Sequence, residues 1–388
     1  MKTTNLKLAL ILISLFLITT GFSQVAIESG DPSNNTDIPD FYKSKLSDIE
    51  NEIKKIKKGE VKTIATSPGG LPVYAVYYGE KENFHSQANY NSAVAARNPA
   101  YYAQKDKSTN PVVFIIGPVH GQESENIVGI VNLIHVAETG SDHRGKEWPE
   151  LKNKMEQCRT IIIPCGNPDG RKRCPYDSFV GIPTEIMTKY GQGTRKDGTS
   201  WGWPQAKSVH PMKGNVEILG AYFNDNGINV MQDEYFKPMA EETSAILEIA
   251  RTEVPDLTVS LHSHEYEPMI LQPSYIAMFM KERVNDLAIR LNGRYKSNGL
   301  PYVPDEIVWK PVVDDPEFPP KVTFNLISAL HHISGTMPFT FECCHGSTSE
   351  NPRAPKVSYD EILDIELLLF DEMFDYILAE RLTWEKKK

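Results

Sequence analysis

Three segments carry residues whose types and spacing suit one piece of chemistry. The first is Gly117-Pro-Val-His120-Gly-Gln-Glu123. His120 and Glu123 leave an apolar run and enter a helical pattern, so a tight turn can aim both at one point. Imidazole nitrogen and carboxylate oxygen hold Zn²⁺ at about 2.0–2.2 Å. Taken alone, the pair is also consistent with a helix N-terminus whose Glu123 or Glu125 complements the dipole. The second segment is Asp256-Leu-Thr-Val-Ser-Leu-His262-Ser-His264. A histidine at this strand end completes a His₂Glu set and leaves the fourth position open. Strand alternation places His262 and His264 on one face, so the residues alone leave both open as the third ligand. His-Glu-x-x-His, the one-helix route to such a site, is absent. The third segment is Phe339-Thr-Phe-Glu342-Cys-Cys-His345. A carboxylate on an apolar strand is costly to bury without a partner. Glu342 is either half of a structural ion pair or a base that takes a proton from a metal-held water.

These residues need elements to position them. Pro111 to Gly117, Thr160 to Pro164, Leu257 to Leu261 and Pro338 to Glu342 are short, nearly continuous apolar runs, which predicts buried strands. Leu71 to Tyr78 reads as a further strand after the Gly69-Gly70 turn. Helical spacing predicts helices over 41–56, 126–137, 241–251, 281–296 and 359–381. Lys54, Lys55, Lys57 and Lys58 then form a solvated face. Residues 84–110 read as an insertion or long loop. Residues 170–222 show no sustained period, and a loop of that length is usually functional. The alternation predicts an α/β fold with a largely parallel or mixed sheet covered on both faces. In such sheets the site lies beyond the strand C-terminal ends, where the three segments sit.

Composition limits the setting. The 388 residues are 40% hydrophobic, an ordinary globular balance, and the net charge is −10. An acidic surface repels phosphate, which argues against a nucleic-acid partner. Residues 1–23 read as a signal peptide: Lys2 and Lys7 precede an apolar run that ends in small residues. The run is too short for a stable membrane span. The expected product is secreted or periplasmic, with 24–40 loose and 41–385 one catalytic domain. Five cysteines at 158, 165, 174, 343 and 344 allow one or two disulfides in an oxidising compartment and leave at least one thiol over.

Together the segments resemble the zinc carboxypeptidase family, the carboxypeptidase A-like metallopeptidases. His120-Gly-Gln-Glu123 is similar to its first two ligands, and Gly166-Asn-Pro-Asp-Gly170 to its Asn-Pro-Asp-Gly segment. Glu242-Thr243 and Pro255-Asp256-Leu through His262-Ser263 resemble the elements leading to the third ligand, which favours His262. Phe339-Thr-Phe-Glu342 resembles the strand with the catalytic Glu, and Thr66-Ser-Pro-Gly-Gly-Leu-Pro-Val the opening turn and strand. The resemblance implies an eight-stranded, mostly parallel mixed sheet sandwiched between helices, one Zn²⁺, and peptide or amide hydrolysis. It implies Glu342 as general base and then acid. It also implies an arginine for the oxyanion, best matched by Arg195 with Arg171 and Arg173 as rivals.

The chain departs from the pattern at one place. Where the family carries an Asn-Arg pair that clamps a substrate's C-terminal carboxylate, Gly227-Ile-Asn-Val-Met231-Gln232-Asp233 offers Met231 and Gln232. Gln232 hydrogen-bonds without charge, so the bidentate ion pair is lost. Gln232 and Ser263 are the expected substrate-facing positions. The functions left open are a peptidase or an amidase or deacylase with altered recognition of the substrate end, acting on cell-wall-type or other non-C-terminal substrates; an ordinary carboxypeptidase in which another Arg or Lys of the long loop supplies the clamp; and a silent binding protein on the same fold.

Overall fold

The computed structural model describes residues 37–304 and 323–384. The signal-peptide reading falls outside them. In chain order the elements are α1 (Leu46–Ile53), β1 (Glu60–Thr66), β2 (Pro72–Tyr78), α2 (Tyr90–Ala95), β3 (Val112–Ile116), α3 (Ser124–Thr139), α4 (Pro149–Glu156) and β4 (Arg159–Ile163). They continue with α5 (Pro168–Arg173), α6 (Thr184–Gln192), α7 (Glu241–Glu253), β5 (Leu257–His264), β6 (Met269–Leu271), α8 (Met278–Ser297), α9 (Leu326–Ser334), β7 (Met337–Cys344) and α10 (Tyr359–Ala379).

The strands form one sheet in the order β1-β2-β4-β3-β5-β7-β6. Its centre, β4-β3-β5-β7, is parallel, and antiparallel strands close both edges. The described residues thus hold seven strands, not the expected eight. The mixed, mostly parallel class stands.

Alternation along the strands splits the core in two. Val113, Ile115, Val259 and Phe339 face α3, α4, α8 and α10. Val112, Phe114, Ile116 and Ile161 face α7 and α9. Burial on both faces is why these runs read as continuous apolar segments. Truncating a fully buried ring such as Phe114 to Ala costs about 3–5 kcal/mol. The four parallel strands end at one edge of the sheet, and His120, Asn167, His262 and Glu342 all lie at or just beyond those ends.

Several expectations change. β1 is an edge strand with an irregular burial pattern, so its sequence lacks the apolar run of a central strand. α4 buries only Leu151 and Met155, too few positions for a period to stand out. The 84–110 segment holds α2, a 3₁₀ turn at Pro99–Tyr101 and its own small core around Ala93, Ala100 and Tyr102. All five cysteines are buried free thiols, so neither of the disulfides considered above is formed.

Candidate metal centre

The centre begins at the tight turn between β3 and α3. A Cβ on Gly121 would stand 2.0 Å from the Arg171 backbone nitrogen, so the turn needs glycine there to press against α5. Asn167 holds the other side. Its amide donates to the carbonyls of Val119 and Ala221, both at 3.1 Å, and its side-chain oxygen accepts from Gly170 N. Asp169 accepts from Ser67 Oγ, Gly69 N and Asp225 N. The Asn-Pro-Asp-Gly segment therefore ties the ligand turn to two neighbouring loops.

The turn brings His120 and Glu123 together. His120 Nδ1 lies 3.0 Å from Glu123 Oε1 and 3.2 Å from His262 Nδ1, and His262 Nδ1 lies 3.1 Å from Glu123 Oε2. Glu123 is the N-cap residue of α3, yet its side chain makes no cap bond and turns to the histidines instead. All three residues are buried. Burial works against the Glu123 charge, but His120 and His262 outweigh it and hold the carboxyl below its usual range. Burial lowers the His120 pKa. At His262 burial also disfavours charge, but Glu123 prevails and raises the pKa.

The donor set fits zinc. Ligands about 2.05 Å from a tetrahedral ion are separated from one another by about 3.3 Å. The two ring nitrogens, 3.2 Å apart, are close to that edge, and Glu123 turns one carboxylate oxygen to each of them, Oε1 at 3.0 Å and Oε2 at 3.1 Å. Ser260 Oγ meets the other ring nitrogen of His262, Nε2, at 3.1 Å, where the hydroxyl can accept the Nε2–H of the tautomer that leaves Nδ1 free to ligate. Asn126, with its amide nitrogen facing Glu366 Oε1, pairs with both the N–H and the carbonyl of His262.

Glu342 lies directly opposite His262 in the parallel pairing of β5 and β7. Burial raises its pKa, His262 pulls it down, Glu123 pushes it up and Lys207 pulls it down, for a balance of about 7. His264 is held apart from the three: its Nε2 pairs with the Glu267 carbonyl at 2.9 Å and its ring packs edge-on to Tyr266.

The remaining predicted residues have other partners. Arg195 lies over Trp201 and donates to the Ser200 carbonyl within its own turn. Arg171 donates to Tyr176 O, Asp177 and the Gly121 carbonyl, and so braces the ligand turn. Arg173 pairs with Asp225. Ser263 donates to buried Glu125 at 3.1 Å. Gln232 ends a 3₁₀ turn, Val230–Gln232, and is half-buried.

Two residues were not picked out from the sequence. Tyr222 stacks flat on His120, with centroids 3.8 Å apart, and its hydroxyl accepts from Gln192. Lys207 acts electrostatically on His120, His262 and Glu342 and makes no ion pair among the described residues. Both come from the 170–222 segment, where no period marks out single positions.

Comparison with known proteins places this geometry. The zinc carboxypeptidase family profile matches residues 46–275. Among curated proteins, none matches the sequence. A protein of Burkholderia mallei ATCC 23344 assigned as a carboxypeptidase superposes with a TM-score of 0.51 at 13% identity, covering 86% of this chain and 67% of that one. The metallo-carboxypeptidase of Burkholderia cenocepacia gives 0.49 at 12% identity, covering 86% and 68%. Bovine thrombin-activatable fibrinolysis inhibitor, solved with tick carboxypeptidase inhibitor, gives 0.47 at 12% identity, covering 86% and 95%. With the profile spanning more than half of its length, this chain belongs to the zinc carboxypeptidase family.

Proposed function

We propose that the chain is an exported zinc peptidase in which His120, Glu123 and His262 hold one catalytic ion and Glu342 moves the proton. The observation that carries this is the register of Glu342 against His262, beside three converging ligand atoms. Zinc held there supplies a Lewis acid that polarises a carbonyl and acidifies a water. Glu342 would take the proton of the attacking water as its oxygen adds to the scissile carbonyl carbon. The C–N bond breaks, and Glu342 delivers the proton to the leaving amine. Tyr222 keeps the His120 ring in plane by stacking on it.

Recognition of the substrate end is the unusual part. Met231 is buried and Gln232 is neutral, so neither supplies a cation. Lys207 is the cation whose field reaches Glu342, and in this reading it meets a substrate carboxylate as a point charge. The reading as an amidase acting away from a free C-terminus rests on the same neutral Gln232. Turnover of matched peptides with free and amidated C-termini separates the two. A preference for the free acid that Lys207→Met abolishes supports the clamp. Equal turnover of both peptides favours the amidase. Stoichiometric zinc with no turnover on either, unchanged in Glu342→Gln, would leave only the silent binding protein. Among the described residues no helix is long and apolar enough to cross a membrane. The export reading rests on residues 1–23, and N-terminal sequencing of the secreted product tests it.

A further inference from the structure

A second cluster of metal-ligating side chains stands apart from the first. Glu52 lies at the end of α1, His135 in α3, and His143 in the loop after Gly140. His135 Nδ1 is 2.8 Å from Glu52 Oε1. His143 Nε2 is 3.3 Å from Glu52 Oε2 but makes no hydrogen bond, although it is buried. The two imidazoles lie nearly face to face, with centroids 4.0 Å apart and planes 24° from parallel. One ligand atom from each residue lies within 4.8 Å of the other two. Among the described residues only this group and the catalytic one meet that condition.

The surroundings hold these side chains in place. His143 N donates to Asn132 Oδ1 at 2.9 Å, and the Asn132 amide donates to the carbonyls of Val128 and Phe41. Asp142 closes the loop by accepting from Arg144 N, Lys146 N and Trp148 Nε1. Glu52 is 3% exposed, so its carboxylate has little access to water. Two imidazoles and a carboxylate are borderline ligands that suit first-row divalent ions better than Ca²⁺ or Mg²⁺. One cation competes: Lys55 Nζ lies 2.9 Å from Glu52 Oε2. Its side chain is 59% exposed, so the ammonium can swing into water on its flexible stem as a dication enters. The His135 side chain, 23% exposed, marks the way in.

We propose that Glu52, His135 and His143 form a second, structural site for a divalent first-row transition ion, which ties α1 to α3 and the loop after it. Elemental analysis of the zinc-saturated, desalted full-length chain tests this. Two zinc ions per wild-type chain are expected, and one in each of His143→Ala, Glu52→Gln and His262→Ala, with peptide turnover kept in His143→Ala. One zinc per wild-type chain overturns the proposal. So does a second zinc that survives both His143→Ala and Glu52→Gln. Should these variants not fold, anomalous scattering at the zinc edge from wild-type crystals decides: a peak between Glu52 and His135 supports the site and its absence sinks it. The metal count does not depend on whether the chain is a peptidase.

Discussion

At the residue scale, two side chains separate holding the metal from using it. Ser260 Oγ meets the His262 nitrogen that does not face Glu123, and Ser260 is fully buried on β5. Ser260→Ala should weaken zinc affinity by about 10–100-fold, the usual cost of losing an orienting partner behind a ligand. Turnover per bound zinc should stay within a few-fold. A competitive zinc titration followed by activity at saturating zinc measures both, and unchanged affinity would show that Ser260 does not set the tautomer. Glu342→Gln should do the reverse. Zinc content holds, while kcat falls by about 10²–10⁴-fold, the range for a general base. Retained turnover in Glu342→Gln would move the proton transfer to another group.

At the element scale, α7 carries a buried carboxylate whose cost depends on pH. Glu242, in the first turn of α7, accepts from Asn224 Nδ2 at 3.2 and 3.4 Å. Burial raises its pKa to about 7, against the partial relief of those hydrogen bonds. The folded pKa lies above the unfolded value near 4.3. The group's contribution to stability is therefore full below about pH 4 and lost as pH rises through about 7. Above that the loss is roughly 3–4 kcal/mol. Glu242→Gln keeps an acceptor for Asn224 and removes the charge. It should raise the Tm at pH 8 relative to wild type and change it little at pH 4.5; equal shifts at both pH values would refute the assignment. Most strands carrying the centre were legible because they are buried on both faces and leave unbroken apolar runs, as in Val112–Ile116. β1 was not, because an edge strand needs few apolar residues. Glu342 and His262 were legible as polar residues on or ending such runs. Tyr222 and Lys207 were not, because their placement depends on how the 170–222 segment folds back over the sheet edge.

At the scale of the whole molecule, metal binding couples parts of the chain that are distant in sequence. The proposed zinc ligands come from the turn after β3, the cap of α3 and the end of β5. Two histidine nitrogens and a carboxylate meet there in a buried space. An ion that binds only the folded state stabilises it by about 4 kcal/mol at a thousandfold excess over Kd. In a chain of 388 residues that corresponds to a rise in Tm of roughly 5 °C. Chelation should lower the Tm by that order and zinc should restore it, as read by thermal unfolding. His262→Ala separates the two clusters. If the catalytic centre is the only one, zinc should leave the Tm of this variant unchanged. If Glu52, His135 and His143 also bind, a smaller zinc-dependent rise should persist in His262→Ala and vanish when His143→Ala is added. The stability measurement thus places each ion independently of the elemental count, because each site ties together a different set of elements.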